Sequence, residues 1–213
     1  MQDIILESLS RAIKDYDKAA AVRWVTAAAD NQIDPLRVME SLTAAIREVG
    51  DAFGAGECFL PELVSAADAM QAALPIVEEQ LRSIGAKRES IGKVVAGTVA
   101  GDIHNIGKSM LCTLLVADGF EVVDLGTDVP VERFVEAVRD HEPDILAMSA
   151  LLTITASEQK LVIEALQAAG LRQIVKVIVG GGAISEEFAN KIGADGYSPT
   201  APGGVRLCRK LAG

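Results

Sequence analysis

The sequence has few aromatic side chains and little positive charge. Aromatic residues make up 4% of its 213 residues, and 20 Lys and Arg stand against 30 Asp and Glu, for a formal net charge of −10 at pH 7. Proteins that bind nucleic acid hold phosphates with basic side chains and often stack bases on aromatic ones. Both shortages argue against this class of function, and we expect no nucleic-acid partner.

Cysteine is scarce as well, and long apolar runs are missing. Cys58, Cys112 and Cys208 are far apart and odd in number, so they fit neither a disulfide framework nor a CxxC zinc motif. The longest apolar stretch, residues 145–156, falls short of the ~20 residues that cross a bilayer, and charges come too early at the N-terminus for a signal peptide. We therefore expect a reduced, cytoplasmic protein without a membrane partner.

Hydrophobic residues are plentiful, at 50% of the chain, which suffices for a buried core and excludes a disordered chain. Up to about residue 90, apolar residues recur at helical spacing. Asp34 and Pro35 are a good N-cap and first residue for one of these helices. We predict a four-helix bundle over residues 1–88, followed by a linker at 85–92. The predicted helices cover residues 4–13, 18–29, 35–54 and 61–84.

After residue 90, short β-branched runs alternate with helical stretches. Five such units predict an α/β domain over residues 89–213, with a five-stranded parallel sheet and helices on both faces. The predicted strands are residues 93–99, 121–125, 144–149, 175–179 and 196–197. The predicted helices are residues 106–117, 131–140, 156–169, 185–191 and 203–211.

Glycine and polar residues follow three of the predicted strands. They are Gly101–Gly107 after the first, Ser149–Leu151 after the third and Gly180–Gly182 after the fourth. Ligands of such sheets bind at the carboxyl ends of the strands, where the strand order reverses. If the order is 2-1-3-4-5, the three segments meet at one edge of the sheet.

Asp102 and His104 are two residues apart, close enough for the carboxylate to bind one ring nitrogen and leave the other free for a metal. A single histidine is a sufficient protein ligand only if a macrocycle already holds the metal. The alternative is a helix N-terminus capped by Asp102 or Asn105, with His104 merely at the surface. Gly107, Ser149 and Gly180–Gly182 each have an ordinary alternative too, as a packing glycine, a helix cap and a tight turn.

Gly101 to Ser109 ends in Gly-Lys-Ser and resembles a phosphate-binding P-loop at first sight. That motif has four residues between its glycines, whereas five separate Gly101 from Gly107. The Asp102 carboxylate would also repel a phosphate. We therefore reject a P-loop.

The spacing of the three segments carries a family resemblance. Asp102-x-His104-x-x-Gly107 is followed by 41 residues (108–148), Ser149-x-Leu151, 28 residues (152–179) and then Gly180-Gly181. This pattern resembles the B12-binding signature of methionine synthase, B12-dependent mutases and corrinoid proteins, whose domain has a flavodoxin-like, Rossmann-like fold. Residues 50–63, GDAFGAGECFLPEL, are similar to the helical cap domain of corrinoid proteins in methyltransferase systems.

The resemblance implies a role for each matching residue. His104 would be the lower ligand of cobalt in place of the cofactor's own benzimidazole, and Asp102 would bind its other nitrogen. Ser149 would either extend this network or contact the displaced nucleotide tail. Leu151, Thr153 and Gly180 to Gly182 would line the groove for the displaced nucleotide tail. The remaining candidates are Ile103, Asn105, Ile106 and Gly107 under the corrin ring, and Gly126, Tyr197 and Ser198 at the rim. Over the upper face, Phe53, Phe59, Leu60 and Leu63 are candidates, although each could equally belong to the bundle core.

The function implied is that of a methyl carrier with cobalamin as cofactor, alternating between methylcob(III)alamin and cob(I)alamin. Its partners would be a methyl-donor methyltransferase, a methyl-acceptor methyltransferase and a reductive activase, and it would have no turnover alone. The alternatives are a B12-dependent sensor, a mutase B12 subunit and a flavodoxin-like domain without a cofactor. The known sensors carry an additional DNA-binding domain, for which we expect no room in 213 residues.

Overall fold

A computed structural model describes residues 1–85 and 90–213, and the chain divides into two units, Met1–Glu89 and Ser90–Gly213. The predicted domain boundary at residues 88 and 89, and residues 86–89 of the predicted linker, lie outside the described residues. Across the described residues, no helix combines the length and apolar character needed to cross a membrane.

Over residues 1–85, the described part of the first unit forms four helices, as predicted. Asp17 and Asp34 cap the second and third, their carboxylates accepting the backbone N–H groups of Ala20 and Leu36. Each helix buries an apolar stripe, with Leu9, Leu42 and Leu63 fully buried in the core. The helices are α1 (Gln2–Lys14), α2 (Lys18–Asp30), α3 (Pro35–Ala55) and α4 (Leu60–Ser83).

The second unit is a five-stranded parallel sheet in the order β2-β1-β3-β4-β5, which confirms the predicted fold class. β1 and β3 pair in register from Val94 opposite Ile145 to Thr98 opposite Ser149. The strands are β1 (Lys93–Thr98), β2 (Glu121–Asp124), β3 (Ile145–Ser149), β4 (Lys176–Gly180) and β5 (Gly196–Tyr197). The helices are α5 (Ile106–Asp118), α6 (Val131–His141), α7 (Thr153–Ala168), α8 (Glu186–Ile192) and α9 (Ala201–Ala212).

Apolar residues cover both faces of this sheet. Alternate strand residues point to opposite faces, so Val94 and Ile145 pack with Leu115 of α5, while Val95 and Leu146 pack on the other face with α6 and α7. The near-continuous apolar strands follow from this burial on both sides.

Two helices of the second unit begin earlier than predicted. α7 begins at Thr153 instead of residue 156, because the backbone N–H of its N-cap residue, Leu152, donates to the carboxylate of Asp102 in a distant loop. α9 begins at Ala201 instead of residue 203, after Thr200, whose hydroxyl accepts the Gly203 N–H. The acceptor of the Leu152 N–H lies in another part of the chain, so local sequence cannot reveal this contact at the start of α7.

Candidate functional site

A crevice of about 580 Å³ lies at the carboxyl ends of the strands of the second unit. It is lined from β3 and β4, from the first turns of α5 and α9, and from the loops that follow the strands. This is where the strand order reverses between β1 and β3, as expected for a ligand site of such a sheet. The sequence-predicted residues that line it are Ile103, His104, Asn105, Ile106, Gly107, Ser149, Leu151, Gly180, Gly181, Gly182 and Ser198.

Further lining residues were missed by the sequence reasoning. Some follow β5, where the same rule about strand ends would have found them. Lys108 lies in the first turn of α5, and the others are apolar residues inside strands and helices, which nothing in the sequence distinguishes from core. The missed residues are Lys108, Leu111, Ala147, Met148, Ile178, Val179, Pro199, Thr200, Ala201 and Gly204.

The carboxylate of Asp102 is fully buried beneath the crevice and accepts hydrogen bonds on both oxygens. Oδ1 accepts the backbone N–H of His104 at 3.0 Å, and Oδ2 accepts the N–H of Leu151 at 2.8 Å and the Thr155 hydroxyl at 2.7 Å. Burial alone would raise the pKa of Asp102, but these hydrogen bonds, Thr155 first, hold that pKa well below its ordinary value. The group is therefore a carboxylate at neutral pH.

The imidazole of His104 is exposed, with 48% of its side chain accessible to solvent. Its Nδ1 lies 2.8 Å from Asp102 Oδ1, which favours the tautomer with the proton on Nδ1. Nε2 makes no hydrogen bond to any residue that the structure describes. The loop is also held from β1, because the Thr98 hydroxyl donates to the carbonyl of His104. Asp102 thus orients His104 and leaves one nitrogen free to bind a metal.

Thr155 is a functional candidate that the sequence reasoning missed. It is buried in the first turn of α7 and lies 53 positions from Asp102. Only the folding of the β3–α7 segment against the Asp102 loop brings the hydroxyl to the carboxylate. A threonine within an ordinary helix gives no signal of this role.

Ser149, Thr153 and Tyr197 have different surroundings. Ser149 ends β3 and lines the crevice, and its hydroxyl has no hydrogen-bond partner in the described chain. Thr153 begins α7, is exposed and does not line the crevice. Tyr197, on β5, packs against the apolar cluster that includes Leu146 and Met148, and does not line the crevice either.

Two of the predicted glycines have distinct environments. Gly181 has a φ of +117°, and a Cβ there would overlap the backbone of Ala150, so this turn needs glycine for packing against the end of β3. A Cβ at Gly107 would meet nothing within 4 Å. Since Gly107 lines the crevice, its missing side chain leaves room for a ligand.

Lys108 does not serve as a phosphate ligand in the manner of a P-loop lysine. Its side chain is 3% exposed and forms an ion pair with Asp124 at the end of β2. The pair ties the first turn of α5 to the neighbouring strand. The rejection of a P-loop on spacing therefore agrees with the geometry.

Four predicted upper-face residues lie in the helical unit. Phe59, at the N-cap of α4, has 75% of its surface exposed, whereas Leu63 is fully buried in the bundle core. Phe53 and Leu60 are half-buried. Of these four residues, only Phe59 is exposed enough to contact a ligand or a partner protein with most of its surface.

The donor set fits a metal inside a macrocycle better than a bare ion. Within residues 1–85 and 90–213, no group of three or more His, Cys, Asp or Glu could hold a metal ion. Ile103 and Ile106 flank His104 with 76% and 72% of their surfaces exposed. Such an apolar rim around a free imidazole nitrogen suits the flat face of a corrin ring, which would cover it.

Comparisons with known proteins agree with this geometry. The sequence model of the B12 binding domain family matches residues 92–205, and a second B12 binding domain model matches residues 5–78. A trimethylamine corrinoid protein of Methanosarcina barkeri is 40% identical over 198 residues, covering 92% of this chain and 91% of that protein. A corrinoid protein of Desulfitobacterium hafniense is 41% identical over 98% of both chains.

Solved structures show the same relationship. The methanol:cobalamin methyltransferase complex of Methanosarcina barkeri contains a chain with a TM-score of 0.89 and 29% identity, covering all of this chain and 81% of that one. A cobalamin-binding protein of Desulfitobacterium hafniense has a TM-score of 0.68 and 34% identity over 98% of both chains. The chain therefore belongs to the B12-binding corrinoid proteins of methyltransferase systems, and its cofactor is cobalamin.

Proposed function

We propose that the protein binds cobalamin with His104 as the lower axial ligand, the benzimidazole displaced, and carries a methyl group from one methyltransferase to another. The observation that supports this most directly is the Asp102–His104 pair, which holds Nδ1 at 2.8 Å and leaves Nε2 free at the mouth of the crevice. When bound, cobalamin would supply a cobalt centre that accepts and releases a methyl group.

The residues of this chain would have three tasks. Asp102 fixes the tautomer and direction of His104, and as a carboxylate it makes the imidazole a better donor. Ile103 and Ile106 offer apolar contacts to the ring, which remove their exposed surface from water. The crevice beside Gly107 and Gly180–Gly182 would take up the displaced nucleotide tail. In this proposal, the helical cap comprises residues 1–88 and the B12 domain comprises residues 89–213.

The partners would be a methyl-donor methyltransferase and a methyl-acceptor methyltransferase, with a reductive activase as a third. Relatives at 38–41% identity include proteins named for trimethylamine and dimethylamine. These names favour methyl transfer over a sensor or a mutase subunit. They also make methylated amines the first donors to test.

The ligation is tested by mixing purified His104→Ala and Asp102→Asn with cobalamin, desalting and recording absorption spectra. We expect His104→Ala to lose the spectral signature of an axial nitrogen ligand and most of its affinity for cobalamin. Asp102→Asn should weaken both the signature and the affinity. His141→Ala, which changes the other histidine of the chain at the end of α6, is the matched control and should match the unmodified protein. A His104→Ala spectrum identical to that of the unmodified protein would show the ligation to be wrong.

The carrier role is tested by capture from the source cell. We expect a tagged protein to retain a methyltransferase, whose substrate then identifies the donor. Recovery of a promoter-binding or mutase complex instead, with no methyltransferase, would overturn the carrier role.

A further inference from the structure

The segment after β2 contains an unusual backbone conformation close to the Asp102 loop. Leu125 still donates to the Ala96 carbonyl of β1, and the chain returns to β1 at Val129, which pairs with Val99 in an isolated parallel bridge. Between them, Gly126 and Asp128 have φ values of +87° and +54°. The Gly126 carbonyl still accepts the Thr98 N–H of β1, so the chain bulges away from β1 for two residues, 127 and 128, and then rejoins it.

Asp128 makes two hydrogen bonds to the main chain of the site loop. Its Oδ1 accepts the N–H of Gly101 at 2.7 Å, and its own N–H donates to the carbonyl of Asp102 at 2.9 Å. Asp128 thus binds two consecutive residues of the loop that contains His104, Gly101 through its side chain and Asp102 through its backbone.

A left-handed conformation is uncommon for a residue with a side chain, although aspartate is among the more tolerant. Such a conformation persists where neighbouring contacts enforce it, and it is frequent at functional sites. The other described non-glycine residues with positive φ are Tyr16, Gln32 and Glu142, and all three follow helix ends, where a left-handed residue is usual. Asp128 differs because its conformation allows hydrogen bonds to another loop, the one that contains Gly101 and Asp102.

Asp102 is consequently held from two directions. The β3–α7 segment holds its carboxylate through Leu151, Leu152 and Thr155, and Asp128 holds its main chain. The carboxylate in turn fixes the ring of His104. Asp128 is exposed and does not line the crevice, and its hydrogen bonds connect it to His104 through the Gly101–Asp102 backbone.

We propose that Asp128 is a positioning residue, which sets Asp102 and thereby the direction of the His104 Nε2 toward cobalt. This inference rests on the proposed ligation by His104. It requires a side-chain oxygen that accepts the Gly101 N–H and the left-handed backbone at residue 128.

Three substitutions test the need for the acceptor. Asp128→Gly keeps the left-handed backbone at no steric cost but removes the acceptor. Asp128→Asn keeps an acceptor oxygen and tolerates the conformation. Asp128→Ser has a shorter side chain that should not reach the Gly101 N–H, and it serves as the second acceptor-loss variant. Glu142→Gly is the matched control, because Glu142 is also exposed with positive φ and lies at the far end of α6.

Two measurements read out the effect. Hydrogen exchange of the Gly101 amide in the cofactor-free protein should rise roughly tenfold or more in Asp128→Gly and Asp128→Ser, as expected for loss of a charge-assisted hydrogen bond. Electron paramagnetic resonance of the cob(II)alamin-loaded protein, prepared with isotope-labelled histidine to distinguish its nitrogen from that of benzimidazole, should show the histidine coupling reduced to a fraction of the molecules in Asp128→Gly and Asp128→Ser. Asp128→Asn should retain the coupling and show a smaller rise in exchange, because its amide oxygen accepts a neutral hydrogen bond, and Glu142→Gly should match the unmodified protein in both.

The outcomes are distinguishable. If Asp128→Gly and Asp128→Ser keep slow Gly101 exchange and full nitrogen coupling, the positioning role is wrong while the ligation stands. If Glu142→Gly reduces the coupling as much as Asp128→Gly does, the effect is general loosening and the positioning role is also wrong. If the unmodified protein shows no histidine coupling, the proposed ligation fails, and this inference fails with it.

Discussion

At the residue scale, Asp102 joins the two halves of the candidate site. Its two oxygens bind the β1–α5 loop on one side and the start of α7 on the other. Buried donors that lose such an acceptor cost free energy, because water cannot replace it. The residue therefore stabilises the fold and orients His104 at the same time.

Thr155→Val should weaken, in part, both the stabilising role and the orienting role of Asp102. We expect roughly 1 kcal/mol lower stability toward urea, because one hydroxyl hydrogen bond is lost at nearly unchanged volume. The Asp102 carboxylate, and with it His104, should be less firmly oriented, so cobalamin should bind more weakly. Thr155→Ser, which keeps the hydroxyl, is the control. Cobalamin affinity in Thr155→Val equal to that of Thr155→Ser would contradict the role of this hydroxyl.

Gly107→Ala should have opposite effects on stability and on binding. A Cβ there meets no neighbour, and alanine in a helix restricts the unfolded chain, so we expect about 0.4–1 kcal/mol higher stability without cofactor. The same methyl group projects where the crevice needs room, so cobalamin affinity should fall. Denaturation curves and binding titrations of one preparation test both signs, and unchanged affinity would contradict the assignment of Gly107 to the ligand site.

At the element scale, the sequence predicted most helices and strands because their signals are local. Asp34-Pro35 begins α3, and runs such as Val177-Ile178-Val179 form buried strands. The Asp102–His104 pair was predictable for the same reason, since the two residues are close in the chain. Thr155, the early start of α7 and the Asp128 contacts were not, because each depends on residues brought together only by the fold.

The Lys108–Asp124 pair, which joins α5 to β2, should respond unequally to loss of either partner. Asp124→Asn leaves the buried ammonium of Lys108 without its counter-charge, and we expect a loss of roughly 2–4 kcal/mol, somewhat reduced because Asp124 is partly exposed. Lys108→Met replaces the buried charge with an apolar chain of similar length and should cost clearly less. Urea denaturation of the cofactor-free variants tests this, and an equal or larger loss in Lys108→Met would contradict it.

At the scale of the whole molecule, stability should fall in alkaline solution because of two buried thiols. Burial, and next the Asp124 carboxylate, raises the pKa of Cys112 to about 12, and burial, then Asp118, raises the pKa of Cys208 to about 12. In the unfolded chain both thiols ionise near their ordinary pKa of about 8.5. Between pH ~8.5 and the folded-state pKa of about 12, the folded protein binds more protons than the unfolded chain. The stabilising effect of the two thiols is therefore complete below pH ~8.5 and is lost as the pH rises.

The expected slope is roughly −1.4 kcal/mol per pH unit for each thiol above pH ~8.5. Urea denaturation between pH 8 and 10 measures it, and a Cys112→Ala/Cys208→Ala variant is the control for the other groups that titrate in this range. The slope of the control should be shallower. Parallel curves for the two proteins would show that the thiols ionise as readily in the folded state as in the unfolded one.

A crystal structure of the protein with cobalamin bound tests the central claim most directly. We predict the Nε2 of His104 bonded to cobalt, the benzimidazole away from the metal, and the nucleotide tail in the crevice beside Gly180–Gly182. Benzimidazole still bonded to cobalt, or an empty crevice with cobalamin bound elsewhere, would contradict it.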